Sequence, residues 1–175
     1  MISKKQAENI VKRIGAEILK SDGMQKEKGF LQHGNVSVYR HSLSVAAMCI
    51  LIAALMRAKV NKRSLVRGAL LHDYFLYDWH VPDKSHKWHG FHHAKRALHN
   101  AERDFKLDDV EKNMILSHMF PMNMTLPKHK ESVILCLADK ICALKETVVD
   151  RKNKAPKKVP GKVNKTHKQK NHQII

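Results

Sequence analysis

Apolar residues recur at three- and four-residue steps along most of the chain, which is the spacing of one face of an α-helix. Segments without this spacing are rich in turn-forming residues and predict loops at SDGMQKEKGFLQHG (21–34), WHVPDKSHKWHG (79–90) and PMNMTLPKHK (121–130). No segment alternates polar and apolar residues convincingly enough to predict a strand. The pattern therefore predicts an all-α fold of about six helices. These helices cover residues 3–20, 36–57, 62–78, 91–105, 107–120 and 129–149.

The most apolar segment, LSVAAMCILIAALM at 43–56, lies inside the second predicted helix. A membrane-spanning helix needs about 20 apolar residues, and this run is shorter. We therefore expect a buried central helix and no membrane association. The sequence also predicts where two helices start. Asn61 is a suitable N-cap, and the acidic residues of LDDVEK at 107–112 suit a helix N-terminus.

Charge divides the chain into two parts. The net charge is +17 over 175 residues, and the segment 151–175 contains nine Lys or Arg residues and no Asp or Glu. We predict one helical domain at 1–150 and a disordered basic tail at 151–175, because the tail has almost no apolar residues to bury. The tail would either contact nucleic acid weakly or serve as a solvated extension without a fixed partner.

The three cysteines, Cys49, Cys136 and Cys142, lie in apolar runs without the spacing of a disulfide framework. They are typical of reduced core thiols. The N-terminal stretch MISKKQAENIVKR is charged and is not followed by the apolar segment of a secretion signal. We therefore expect a cytoplasmic protein.

Five ionisable residues lie on faces that are otherwise apolar. His41 belongs to the apolar stripe of 36–57, the pair His72–Asp73 follows Ala-Leu-Leu, and His118 and Asp139 continue the apolar faces of the last two helices. One such residue alone is more often a hydrogen-bonded core residue than a ligand. Four helices that each place an imidazole or a carboxylate inward instead indicate a metal site, because these groups are common ligands of divalent metals.

The same residues resemble the HD-domain superfamily of metal-dependent phosphohydrolases. Its pattern is a His, then a His–Asp doublet, then a distant Asp in a helix, and the corresponding segments here are VYRHSLSVA, LLHDYF and CLADKICA. Many members carry two further histidines, for which the chain offers His118 and either His92 or His93. Ala97 favours His93, because a small residue follows four positions later in the family. The resemblance covers residues 33–147 and implies an HD/PDEase-like helical bundle with six ligands: His41, His72, Asp73, His93, His118 and Asp139.

The resemblance also implies a mechanism. Two divalent transition-metal ions would be bound, with Fe, Mn, Ni, Co or Zn as candidates and Mg as a further one. Asp73 would bridge the two ions and act with His72 in catalysis, in which a metal-activated water hydrolyses a phosphoester. The substrate would be a nucleotide or another phosphorylated small molecule.

Candidate substrate contacts come from the basic and aromatic residues near these ligands. Lys87, Lys95 and Lys140 are the candidates for binding phosphate, against the alternative that they are solvated surface charges. Trp79 and Trp88 would either stack on a base or pack as apolar residues of a lid. The sequence leaves the oligomeric state open.

Two rival functions remain open at this point. Some HD-fold proteins with the same six ligands are di-iron oxygenases, and the ligands suit both reactions. The chain could also be a non-catalytic regulator that binds nucleotides or nucleic acid, although its complete ligand set argues against this.

Overall fold

Eight helices and one two-stranded sheet form the secondary structure of residues 2–79 and 89–154, the part of the chain that the computed structural model describes. The all-α prediction is confirmed. The order is α1 Lys4–Ile14, α2 Ala16–Lys20, α3 Asp22–Lys26, β1 Leu31–His33, β2 Val36–Ser37, α4 Val38–Leu55, α5 Lys62–Leu71, α6 His89–Asp104, α7 Asp109–Ser117 and α8 Lys130–Lys154.

Helix α4 is the centre of the bundle. It packs against α1, α5 and α8, while α7 closes the core by packing against α5, α6 and α8. The interior between these helices is filled by fully buried apolar side chains, among them Val45, Leu70, Met114 and Leu135. Burial of this apolar surface is the main force that holds the helices together.

Among the described residues, α4 alone has the length and hydropathy that a membrane span would need. More than half of it is buried inside the bundle, at 56%. Its apolar composition is accounted for by its central position, as expected for a core helix with apolar residues around much of its circumference.

The first predicted helix, 3–20, is two helices in the structure, so the prediction of one continuous helix was wrong. Gly15 separates α1 from α2. A Cβ atom at position 15 would clash with Cδ1 of Leu70 on α5. The close approach of α5 therefore requires a glycine, and the helix breaks where that glycine stands.

A small sheet, which the sequence pattern did not predict, precedes α4. Strands β1 and β2 pair antiparallel around Gly34, which has a positive φ of 58°. Glycine adopts this conformation without steric cost, which permits the tight turn. The sheet places Gln32 next to the end of α5, where its side chain is buried.

The predicted helix starts are confirmed at two positions. The Asn61 side chain accepts hydrogen bonds from the backbone N–H groups of Arg63 and Ser64, at 3.0 and 3.3 Å. Asp108 and Glu111 form a reciprocal capping box at the start of α7. These caps fix where α5 and α7 begin.

The helix ends differ from the prediction. Helix α5 ends at Leu71 instead of residue 78, and α7 ends at Ser117 instead of residue 120. Beyond α5, the Asn100 side chain donates to the carbonyl oxygens of Tyr74 and Phe75, both at 3.1 Å, and so satisfies backbone that has left the helix. Helix α8 continues to Lys154. The predicted loop residues 80–88 and the tail residues 155–175 lie outside the described residues.

Candidate metal centre

Among the described residues, six ionisable side chains meet in the interior of the bundle, and they are the six that the resemblance implied. Each is at most 9% exposed. They come from five places in the chain: His41 from α4, His72 and Asp73 from the turn after α5, His93 from α6, His118 from the residue after α7, and Asp139 from α8.

Two histidines and two aspartates form the first half of the cluster. The Nε2 atom of His41 lies 3.0 Å from Oδ1 of Asp139 and 3.8 Å from Oδ2 of Asp73. The Nε2 atom of His72 lies 3.3 Å from Oδ2 of Asp73 and 3.6 Å from Oδ1 of Asp139. Both imidazoles therefore direct Nε2 toward the same pair of carboxylates.

The second half shares Asp73 with the first. His93 and His118 have their Nε2 atoms 2.8 Å apart, and these atoms lie 3.4 and 3.5 Å from Oδ1 of Asp73. The two oxygens of Asp73 thus face different histidine pairs. His92, the alternative ligand, is exposed. The candidate ligand atoms of His41, His72 and Asp73, and likewise those of Asp73, His93 and His118, lie within 4.8 Å of one another.

In three of the site histidines, Nδ1, the ring nitrogen that faces away from the cluster, also contacts an oxygen atom. Nδ1 of His72 lies 2.8 Å from the carbonyl oxygen of Ala69, and Nδ1 of His118 lies 2.7 Å from that of Ile115. A carbonyl oxygen only accepts, so Nδ1 donates in both and Nε2 is left to face the cluster. Nδ1 of His41 instead lies 2.9 Å from Oε2 of Glu146. This arrangement is typical of metal-binding histidines.

The protonation of these side chains follows from the buried charges of the cluster. Burial opposes a charge on His41, but hydrogen bonds to Asp139 and Glu146 outweigh it and raise the pKa of His41 to about 9. Burial, reinforced by His93 and His72, lowers the pKa of His118 to about 3. The pKa of Asp139 is low despite its burial, because His41 hydrogen-bonds to its carboxylate and the imidazole of His72 lies close to it.

The cluster has the polar chemistry of a cation site. Asp73 Oδ1 and His72 Nε2 are fully buried and make no hydrogen bond within the described part of the chain. Buried polar atoms without a hydrogen bond cost free energy, and a cation bound between them would remove that cost. Imidazole nitrogen and carboxylate oxygen together suit divalent transition metals, so the residues present fit such an ion.

Sequence reasoning missed two side chains that hold the ligands in place. Gln32 donates to Oδ2 of Asp73 at 2.6 Å from a strand that the pattern did not predict. Glu146 holds His41 and follows Asp139 by seven residues on the same face of α8. That spacing was a readable signal for Glu146, whereas nothing local to Gln32 indicated its role.

A cavity of about 430 Å³ opens onto the cluster. Asp73, His93, His118 and Asp139 form its polar end, and apolar residues, chiefly Trp79, Met119, Pro121, Met122 and Ala143, form most of its remaining wall. Lys140 supplies the one Lys or Arg side chain among the described lining residues.

The structure separates the three lysines that the sequence offered as phosphate contacts. Lys140 lines the cavity, and its Nζ lies 3.4 Å from the carbonyl oxygen of His118 and 3.3 Å from that of Cys136. Lys95 is exposed and lines a different, smaller cavity beside His92. Lys87 and Trp88 lie outside the described residues.

Comparison with protein families gives one match. The family model described as HD domain matches residues 38–144, which is more than half of the 175-residue chain. The matched segment contains all six clustered residues. No curated protein and no solved structure matches the chain significantly.

Proposed function

Because the chain belongs to the HD-domain family, we propose that it is a metal-dependent phosphohydrolase that acts on a nucleotide or another phosphorylated small molecule. The observation that carries the proposal is the position of Asp73. Its two carboxylate oxygens face two separate histidine pairs, so one side chain would serve two cation sites. Such a shared carboxylate suits a two-metal reaction centre.

We assign the ligands by their distances. His41, His72 and Asp139 would hold one ion with Asp73, and His93 and His118 would hold the other with the second oxygen of Asp73. When bound, divalent ions would lower the pKa of a water molecule and neutralise the oxygens of the substrate phosphate. The donor set suits Fe, Mn, Ni, Co or Zn better than Mg, because it is rich in imidazole.

The protein's own contribution is to position these groups. His72 and Asp73 are buried and held by Ala69 and Gln32, so their ligand atoms are oriented before a substrate arrives. Pre-oriented charges of this kind need little reorganisation during the reaction. This is the sense in which we assign a catalytic role to Asp73 and His72.

The cavity indicates how the substrate would lie. Its phosphate would enter the polar end, where Lys140 is the nearest candidate for a phosphate contact, and the remainder of the substrate would contact Trp79 and the two methionines. An indole ring offers a flat apolar face on which a base can stack. We retain Lys95 and Lys87 as weaker candidates, because one lies at a separate cavity and the other lies outside the described residues.

The first experiment measures metal content and hydrolysis together. Protein purified without chelators or an affinity tag should contain about two divalent ions per chain by elemental analysis. Asp73→Asn should lose both ions, because Asp73 contacts both halves of the cluster, and His118→Gln should lose one. Wild-type protein should hydrolyse phosphomonoesters or phosphodiesters, and Asp73→Asn should show no activity above the chelator-treated background.

The neighbouring residues His93 and His92 provide a matched control. His93→Ala should lose the same ion as His118→Gln, whereas His92→Ala should keep both ions because His92 is exposed. Bound iron with dioxygen consumption and without hydrolysis would favour the oxygenase. Absence of metal after reconstitution would refute the enzyme proposal and favour a binding regulator.

The cellular location and the role of the tail also stay proposals. Cys49, Cys136 and Cys142 are free thiols in the structure, which supports the reducing, cytoplasmic location that we propose. The weak contact of the basic tail 151–175 with nucleic acid remains a prediction from charge alone, and residues 155–175 of that tail lie outside the described residues.

A further inference from the structure

His41 is held differently from His72 and His118. Those two histidines follow the last residue of α5 and α7, where the helix carbonyl oxygens lack a partner in the next turn and accept from Nδ1. His41 lies inside α4, where the carbonyl oxygens already accept the helix's own hydrogen bonds. Its Nδ1–H therefore needs an acceptor from another element.

Glu146 supplies that acceptor. Its Oε2 lies 2.9 Å from Nδ1 of His41, and the carboxylate side chain is only 13% exposed. Glu146 and Asp139 lie two turns apart on one face of α8, so this helix contacts both ring nitrogens of His41. Asp139 faces Nε2, which is the nitrogen available to a metal, and Glu146 faces the opposite nitrogen.

We propose that Glu146 is a positioning residue of the metal centre: it orients the His41 ring and strengthens its binding to the ion held with His72 and Asp139. The inference rests on the proposed metal centre and adds a residue that the HD-domain match, ending at residue 144, does not include. A carboxylate that accepts the Nδ1–H fixes the tautomer of the histidine and makes Nε2 a more basic ligand.

The groove beside Glu146 contains a second glutamate that can serve as a control for mutation of Glu146. Glu146 also lines a groove of about 620 Å³ between α1, α4 and α8. Glu8 lines the same groove without contacting His41, and it pairs with Lys4 at 3.9 Å. Glu8 is therefore a matched control, since it has the same charge and the same groove but no contact with a ligand.

The test measures metal affinity by competition with a chelator of known affinity, using Zn²⁺ and Mn²⁺ as probes. Glu146→Ala should weaken binding of one ion by about 10- to 100-fold. Glu146→Gln should lose less affinity, because its amide oxygen still accepts from Nδ1 while the charge is removed. Glu8→Gln should bind as wild type does.

A second measurement, on metal-free protein, separates positioning from packing. In a proton NMR spectrum, the hydrogen-bonded Nδ1–H of His41 should give a downfield signal that is lost in Glu146→Ala and kept in Glu146→Gln. Unchanged metal affinity in Glu146→Ala, with wild-type protein binding metal, would overturn this inference and leave the proposed function intact. Wild-type protein that binds no metal would overturn both.

Discussion

At the scale of single residues, the buried carboxylates of the cluster favour protonation of the histidines next to them. Hydrogen bonds to Asp139 and Glu146 raise the pKa of His41 to about 9 despite its burial, and the pKa of His72 is also raised because the attraction of Asp73 and Asp139 outweighs its burial. The nearby His118 has a pKa of about 3 and is neutral. The buried carboxylates are thus balanced by protonated imidazoles on one side of the cluster.

Metal affinity should therefore rise with pH. A ligand histidine must be neutral at Nε2, and His41 is protonated below about pH 9, so each ion bound to the half containing His41 must displace a proton. We expect the affinity to increase by at least about tenfold per pH unit between roughly pH 6.5 and 8.5. Calorimetry in two buffers of different ionisation enthalpy would count the released protons. An affinity independent of pH would contradict this assignment.

Five of the six clustered residues were predictable because each breaks a local pattern, and His93 was expected only from the resemblance to the HD-domain superfamily. His41 and Asp139 lie on apolar helix faces, and the His72–Asp73 pair follows an apolar run, so a single sequence shows them as misplaced polar groups. Gln32 and Glu146 were not predicted, because their roles arise from contacts 41 and 105 residues away along the chain. Local periodicity contains no information about the contact of Gln32, whereas the seven-residue spacing from Asp139 does place Glu146 on the same face of α8.

At the scale of elements, two helix C-termini point at the centre. His72 follows the last residue of α5, and His118 follows the last residue of α7. The carbonyl groups at a helix C-terminus carry a partial negative charge, which favours a cation close by. The early ends of α5 and α7 are therefore part of the site. The periodicity did not predict these ends, because apolar residues continue past the point where the backbone leaves the helix.

Asn100 on α6 should be needed to hold the turn after α5. Asn100→Ala removes two hydrogen bonds to the carbonyl oxygens of Tyr74 and Phe75 and leaves buried acceptors unpaired. We expect a loss of about 1–3 kcal/mol in the free energy of unfolding, measured by urea denaturation of metal-free protein. Metal affinity should fall as well, because Asp73 lies in this turn and directly precedes the two residues that Asn100 holds.

Asn9 on α1 provides the control for that measurement. Its side chain is exposed, so Asn9→Ala should change the unfolding free energy little. An equal effect of the two substitutions, or no effect of Asn100→Ala on stability, would show that the turn is held by packing alone.

At the scale of the whole molecule, the cluster joins parts of the chain that are far apart in sequence. Helices α4, α6 and α8 and the turns after α5 and α7 each supply at least one of the six side chains. An unfolded chain cannot hold these ligand atoms together, so an ion would bind the folded state almost exclusively. Metal binding should therefore be coupled to the stability of the entire bundle.

This coupling gives a prediction for thermal unfolding. An ion present at 100 times its dissociation constant adds about 2.7 kcal/mol to the folded state, which for a chain of this size corresponds to a rise in Tm of roughly 5–10 °C. Differential scanning calorimetry with and without chelator would measure the rise.

Asp73→Asn should show no response to added metal, and His118→Gln should keep part of it, because the half built from His41, His72 and Asp139 remains. If chelation leaves the Tm of metal-loaded wild-type protein unchanged, the ions bind elsewhere. Ligands from five parts of the fold cannot bind an ion without stabilising the folded state that brings them together.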